Sequence, residues 1–178
     1  MTWSLHARTS SPEETRELAA RLAHAARRGD VVVLEGALGA GKTTFAQGFA
    51  RGLGVQGAVT SPTFTLVRQY PCALGDLVHV DVYRLEHLAE VSDLGLADLV
   101  EDGVALVEWG DVARPALGEV TWTVSISSLG ASDGRAPGPE EADDDGRLVT
   151  VSGDDDARGD EVAAALGEQA RQDAGGGA

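Results

Sequence analysis

The chain has a single lysine, Lys42, against 13 arginines, and a single cysteine, Cys72. One cysteine excludes an internal disulfide and suits a reducing, cytoplasmic location. Cys72 follows a proline, has no motif around it, and reads as inert packing. The lysine count excludes the guanine-reading N-K-x-D of ordinary GTPases, which would need a second lysine, so ATP is favoured. No uncharged apolar run approaches the ~18 residues of a membrane span. The first residues, MTWSLHARTS, have neither the basic start nor the apolar stretch of a signal peptide, and no membrane partner is expected. A basic stripe able to track nucleic-acid phosphates is also missing. The net charge is −15, and more than half of it lies between residues 140 and 161, where ten acids face two arginines. Any connection to RNA is therefore expected to run through a partner protein.

What is present suffices for one domain: 178 residues, 43% of them hydrophobic. Residues 2–8 read as a short strand. A helix follows, with Ser11 as N-cap, Pro12 at its first position, acids in its first turn and Gly29 as its stop. VVVLE (31–35) is a continuous β-branched run, the mark of a strand buried on both faces. Residues 43–53 are helical. TFTLVRQY and LVHVDVYRL alternate as two strands around a turn at PCALGD. EHLAEVSDLGLADLV has helical spacing with a break near 92–95, GVALVEW is a second apolar strand, and EVTWTVSIS a third, alternating one. Residues 128–146 form a loop-like insertion, RLVTVSG a last strand, and residues 160–171 a short helix. The expected fold is α/β: a single P-loop domain over residues 1–152 with a mixed sheet, parallel at its centre and flanked by helices. Residues 153–178 read as an acidic, glycine-rich segment, solvated apart from that short helix.

Gly36, Gly41, Lys42 and Thr43 fit G-x-x-x-x-G-K-[ST]. A glycine-rich loop lets backbone N–H groups converge on phosphate oxygens, and the following helix adds its positive end. Residues Gly39, Ala40, Gly41, Lys42, Thr43 and Thr44 are the expected nucleotide-binding set, with Lys42 on the β- and γ-phosphates and the Thr43 hydroxyl on Mg²⁺. A buried strand before the loop and a helix after it supply the context the motif requires. The lone lysine falls where phosphate chemistry wants a compact ammonium on a flexible stem, a place that arginine fills poorly.

A phosphate loop also needs an acid at the end of a neighbouring strand. VALVE delivers Glu108, followed by Trp109, and LVHVD delivers Asp81. The residues alone leave open which of the two holds metal and which positions water. In TSPTFTLV, Ser61 and Thr63 flank Pro62, a rigid hydroxyl-bearing turn of the kind that approaches a γ-phosphate.

The ordered set GALGAGKTTF, SPTFTLV, HVDVYRL and LVEWGD closely resembles the bacterial TsaE family of ATPases, required for threonylcarbamoyladenosine modification of tRNA. The resemblance covers residues 5–127 and the strand at 147–152. It implies a P-loop fold that binds ATP or ADP with Mg²⁺ and hydrolyses ATP slowly alone. It implies two partner proteins, the threonylcarbamoyl transferase subunit and its companion subunit, and tRNA reached only through that complex. The modified base is adenosine 37 of tRNAs reading ANN codons, and the ATPase resets the complex between turnovers. Carried over by position, Lys42 holds phosphate, Thr43 and Glu108 bind Mg²⁺, and Asp81 is the catalytic acid. Lys42, Asp81 and Glu108 then form the catalytic set, and Ser61–Phe64 a nucleotide-sensitive switch. Ser11 and Arg147 match two further nucleotide contacts of the family, with Arg135 as a competitor for the second because the 128–146 insertion departs from the family pattern. The alternative is a small P-loop kinase acting on a metabolite, which usually needs an arginine-rich lid that the sequence does not show.

Overall fold

Three of the sheet's four parallel strands, rich in β-branched and apolar residues, lie side by side near its centre. In the computed structural model, which describes residues 3–62, 65–82, 95–109, 114, 117–129, 146–167 and 171–172, these are β2 (Val31–Glu35), β4 (Gly75–Asp81) and β5 (Gly103–Glu108). Around them lie β1 (Trp3–Thr9), β3 (Val67–Cys72), β6 (Trp122–Ser128), β7 (Arg147–Gly153) and the two-residue β8 (Arg171–Gln172). The helices are α1 (Pro12–Leu22), α2 (Lys42–Gly52), α3 (Leu96–Val100) and α4 (Asp156–Leu166). The eight strands run in the order β3-β4-β5-β2-β6-β7-β1-β8. β2 pairs in parallel with β5 and β6, and β4 with β5, while the outer pairs are antiparallel. This is the expected mixed sheet with a parallel centre.

Burial follows the two-residue period of the strands. Val32 and Leu34 pack with Phe45 and Phe49 of α2 on one face, and Val33 packs with Val78, Val80 and Val107 on the other. A continuous apolar run is therefore required at β2. In the antiparallel half one face suffices: Leu5, Ala7, Val124, Ile126, Val149 and Val151 are buried, whereas Ser127 and Arg8 on the opposite face are exposed. No helix among the described residues is long and apolar enough to cross a membrane.

Three elements differ from the sequence reading. α1 ends at Leu22 and gives way to a 3₁₀ turn, Ala23–Ala25, rather than running on toward Gly29. The Asp30 carboxylate accepts from the backbone N–H of Arg27 at 2.8 Å, a local bond that competes with helical continuation. Next, β3 runs through Pro71 to Cys72, so the turn shrinks to Ala73 and Leu74 before β4 starts at Gly75. Proline is tolerated because β3 is an edge strand.

The third difference lies beyond Gly153. Composition assigns this segment to a solvated acidic tail with a helix over 160–171. In the structure the helix spans Asp156–Leu166, Asp155 caps it, and Val162 and Leu166 are wholly buried. Gly159 lies flat on the Trp3 indole, where an added Cβ would come within 2.7 Å of the ring. Arg158, buried over the Trp122 ring, bonds the Asp30 carboxylate and Glu161, and Glu161 also pairs with Arg27. Burial pushes the Asp30 carboxyl up, with the Arg27 N–H and the charges of Arg158 and Arg27 offsetting part of the rise. A few spaced apolar residues thus dock an otherwise acidic helix. Ending the chain at Gly153 removes two buried side chains worth about 1.5–3 kcal/mol each. Calorimetry should then show a melting temperature lower by roughly 10 °C or more, with ADP affinity at 20 °C retained.

Candidate nucleotide site

The loop from Gly36 to Gly41 joins β2 to α2 and bends where only glycine fits. Gly36 has φ 142°, and a Cβ there would lie 2.4 Å from the carbonyl oxygen of Ile126. Gly41, with φ 110°, starts α2 from the left-handed region. The first turn of α2 therefore opens at the mouth of a cavity of about 370 Å³, lined by Leu38, Gly39, Gly41, Lys42, Thr43, Thr44, Ser61, Asp81, Glu108 and Trp109. The size suits a polyphosphate group.

Lys42 is buried at the centre of this wall. Its ammonium donates to the carbonyls of Gly36 at 2.7 Å and Ala37 at 2.9 Å, and lies 3.6 Å from the centroid of the Trp109 ring. A cation so held is positioned within the loop it serves. Trp109 itself has φ 64°, unusual for a bulky residue. Its backbone N–H bonds the carbonyl of Leu34 at 3.0 Å, which fixes the turn just after β5.

The two acids come together because β4 and β5 are neighbours in register, with Asp81 opposite Glu108. Both are almost fully buried. The Thr43 hydroxyl lies 3.4 and 3.3 Å from the two carboxylate oxygens of Glu108. A hydroxyl and a carboxylate are hard oxygen donors, and one or two of them beside a phosphate site fit Mg²⁺. The Ser61 hydroxyl donates to Oδ2 of Asp81 at 2.8 Å, so the turn after α2 holds the second acid.

Two further contacts were expected from Ser11 and Arg147. Arg147 meets the loop: its Nε donates to the Ala40 carbonyl at 3.1 Å. It lines a neighbouring recess with Gly36–Ala40 and Ser125–Ser128. Ser11 caps α1, accepting from the backbone N–H of Glu14 at 3.2 Å, and is not among the residues lining either cavity. Thr63 and Phe64 of the expected switch, and Arg135, lie outside the described residues. Sequence reasoning missed His79, whose Nε2 is 2.8 Å from Oε1 of Glu108. The available signal was the alternation of LVHVD, which puts His79 on the same strand face as Asp81.

Residues 9–136 match the family model described as "Threonylcarbamoyl adenosine biosynthesis protein TsaE". The chain is 46% identical over 124 residues to the tRNA threonylcarbamoyladenosine biosynthesis protein TsaE of Bacillus subtilis, covering 69% of this chain and 77% of that protein. It is 48% identical over 142 residues to the protein of the same description from Streptomyces coelicolor, covering 78% and 89%. The crystal structure of Bacillus subtilis YdiB superposes with a TM-score of 0.69 at 34% identity, over 93% of this chain and 95% of that one.

Proposed function

Because the chain belongs to the TsaE family, P-loop nucleotide-binding proteins of tRNA threonylcarbamoyladenosine biosynthesis, we propose that it is the Mg²⁺-dependent ATPase that resets the threonylcarbamoyl transferase complex between turnovers. The observation that carries this reading is the convergence of Lys42, Thr43, Asp81 and Glu108 on one cavity. On this reading it acts in the cytoplasm with the transferase subunit and its companion, and reaches adenosine 37 of tRNAs reading ANN codons only through them.

The roles follow from the chemistry of each side chain. Lys42 exchanges the carbonyls of Gly36 and Ala37 for the β- and γ-phosphate oxygens of ATP, and the backbone N–H groups from Gly39 to Thr44 bind the rest of the phosphate chain. Mg²⁺, when bound by Thr43 and Glu108, neutralises charge on those phosphates. Asp81 orients the attacking water and takes its proton, and Ser61 keeps the carboxylate aimed. Arg147 steadies the loop through Ala40.

The decisive experiment combines this protein with both partners, tRNA and threonylcarbamoyl-adenylate. Repeated rounds of modification should need ATP and an intact Asp81, whereas a single round should not. Multiple rounds at full rate without ATP would overturn the reading. A simpler test addresses binding alone. Lys42 is the only lysine, so an amine-reactive label can modify it and the α-amine alone. Saturating Mg-ATP should protect Lys42 selectively in peptide mapping, and equal labelling with and without nucleotide would remove it from the site.

A further inference from the structure

On β4 the period of two places Leu77, His79 and Asp81 on the face toward α2. Leu77 joins the core there, and Asp81 lines the cavity. His79 lies between them with no exposed surface. A valine or leucine would fill this place at no polar cost, whereas a buried imidazole must recover its lost hydration through hydrogen bonds. It makes one such bond, to Oε1 of Glu108 at 2.8 Å, and its Nδ1 has no hydrogen-bond partner among the described residues. An ionised carboxylate only accepts, so the bond assigns the proton to Nε2. The register makes the pair diagonal: His79 stands opposite Leu106 and reaches two residue pairs onward to Glu108.

Glu108 is thereby held at one oxygen by a side chain locked in the core. Its other oxygen, Oε2, is 3.3 Å from the Thr43 hydroxyl. A donor behind a ligating carboxylate fixes its rotamer before the cation arrives, which spares the site that ordering cost. We propose that His79 is a positioning residue: its Nε2–H pins Oε1 of Glu108, so that the carboxylate is pre-set for the nucleotide-bound divalent cation. This rests on the reading of Glu108 as a metal ligand. A purely structural histidine would instead set stability and leave metal affinity untouched.

The test uses the full chain with ADP, and Mn²⁺ in place of Mg²⁺, reading free Mn²⁺ by electron paramagnetic resonance. Loss of a partner behind a metal ligand typically costs roughly 10–100-fold in metal affinity. His79→Asn is polar but too short to reach Glu108, and Mn²⁺ affinity should fall about 10-fold or more. His79→Gln carries an amide N–H at the reach of Nε2 and should stay within about 3-fold of the parent. ADP affinity in EDTA should be the same in all three proteins. Should Asn and Gln behave alike, or should Mn²⁺ affinity be unmoved by Asn, the positioning role is wrong. Glu108→Ala separates the premise: if it weakens Mn²⁺ binding while Asn does not, the inference alone fails. If Glu108→Ala leaves Mn²⁺ binding intact, the metal-ligand reading fails and the inference with it.

Discussion

Asp81→Ala is expected to cut ATP hydrolysis by roughly 10²–10⁴-fold, the usual worth of a positioned general base, with ATP affinity nearly unchanged. The carboxylate lies at the C-terminal end of β4, lines the cavity, and is almost fully buried. On the proposed reading Lys42 and the loop N–H groups grip the phosphates, and they remain in place when Asp81 is removed. Asp81→Asn sharpens the test. An amide oxygen can still accept from the Ser61 hydroxyl, so the local structure survives, but its proton affinity is too low for it to act as a base. Both variants should therefore lose hydrolysis and keep binding, measured by single-turnover phosphate release and by calorimetric titration with ATP. Wild-type hydrolysis in the asparagine variant would leave Asp81 no part in proton transfer.

The largest change in rate should come from the partners. Among the described residues lining the cavity Lys42 is the one cation, and no arginine lines it. An arginine supplied in trans is worth on the order of 10³–10⁵ in rate in other P-loop proteins, about 4–7 kcal/mol of transition-state stabilisation. Isolated protein should turn over slowly, and adding transferase and companion subunit together should raise steady-state hydrolysis by at least ~10²-fold. The rise should vanish in Asp81→Ala. Rapid turnover by the isolated protein with a small metabolite, yielding a phosphorylated product, would favour the kinase alternative.

The site was legible because local sequence builds it. The loop needs glycines at fixed offsets, and the strand before it must be apolar on both faces, so VVVLEGALGAGKTT reveals the loop, Lys42 and Thr43 together. Asp81 and Glu108 could be found as strand-terminal acids. Their adjacency could not, since it depends on the register between β4 and β5, whose residues are distant in sequence. His79 was hidden for the same reason: its hydrogen-bond partner sits 29 residues away on the next strand. For α4 a short helix was legible, displaced by a few residues, and its docking was not. Acidic composition described its outer face correctly, but docking depends on Val162, Leu166 and the flat surface of Gly159 meeting Trp3, a contact between opposite ends of the chain. Ser11 was legible as a cap, and in the structure that is what its hydroxyl does.

The position of β1 has a consequence for how the chain acquires its structure. β1 leaves the ribosome before the other described strands, yet among the described residues it pairs with β7 and β8, and the His6–Thr150 bond closes a separation of 144 residues. Closing so long a loop carries an entropic cost that the contact must recover afterwards. α1, α2 and the parallel strands can assemble while synthesis continues, but Leu5 and Ala7 have no sheet to join until Arg147–Gly153 emerges. Throughout that interval the nascent chain carries an unpaired apolar strand, the kind of segment that pairs with a neighbouring copy. Refolding from denaturant should accordingly end in a slow, concentration-sensitive step reported by Trp3, after the environment of the phosphate loop is already native.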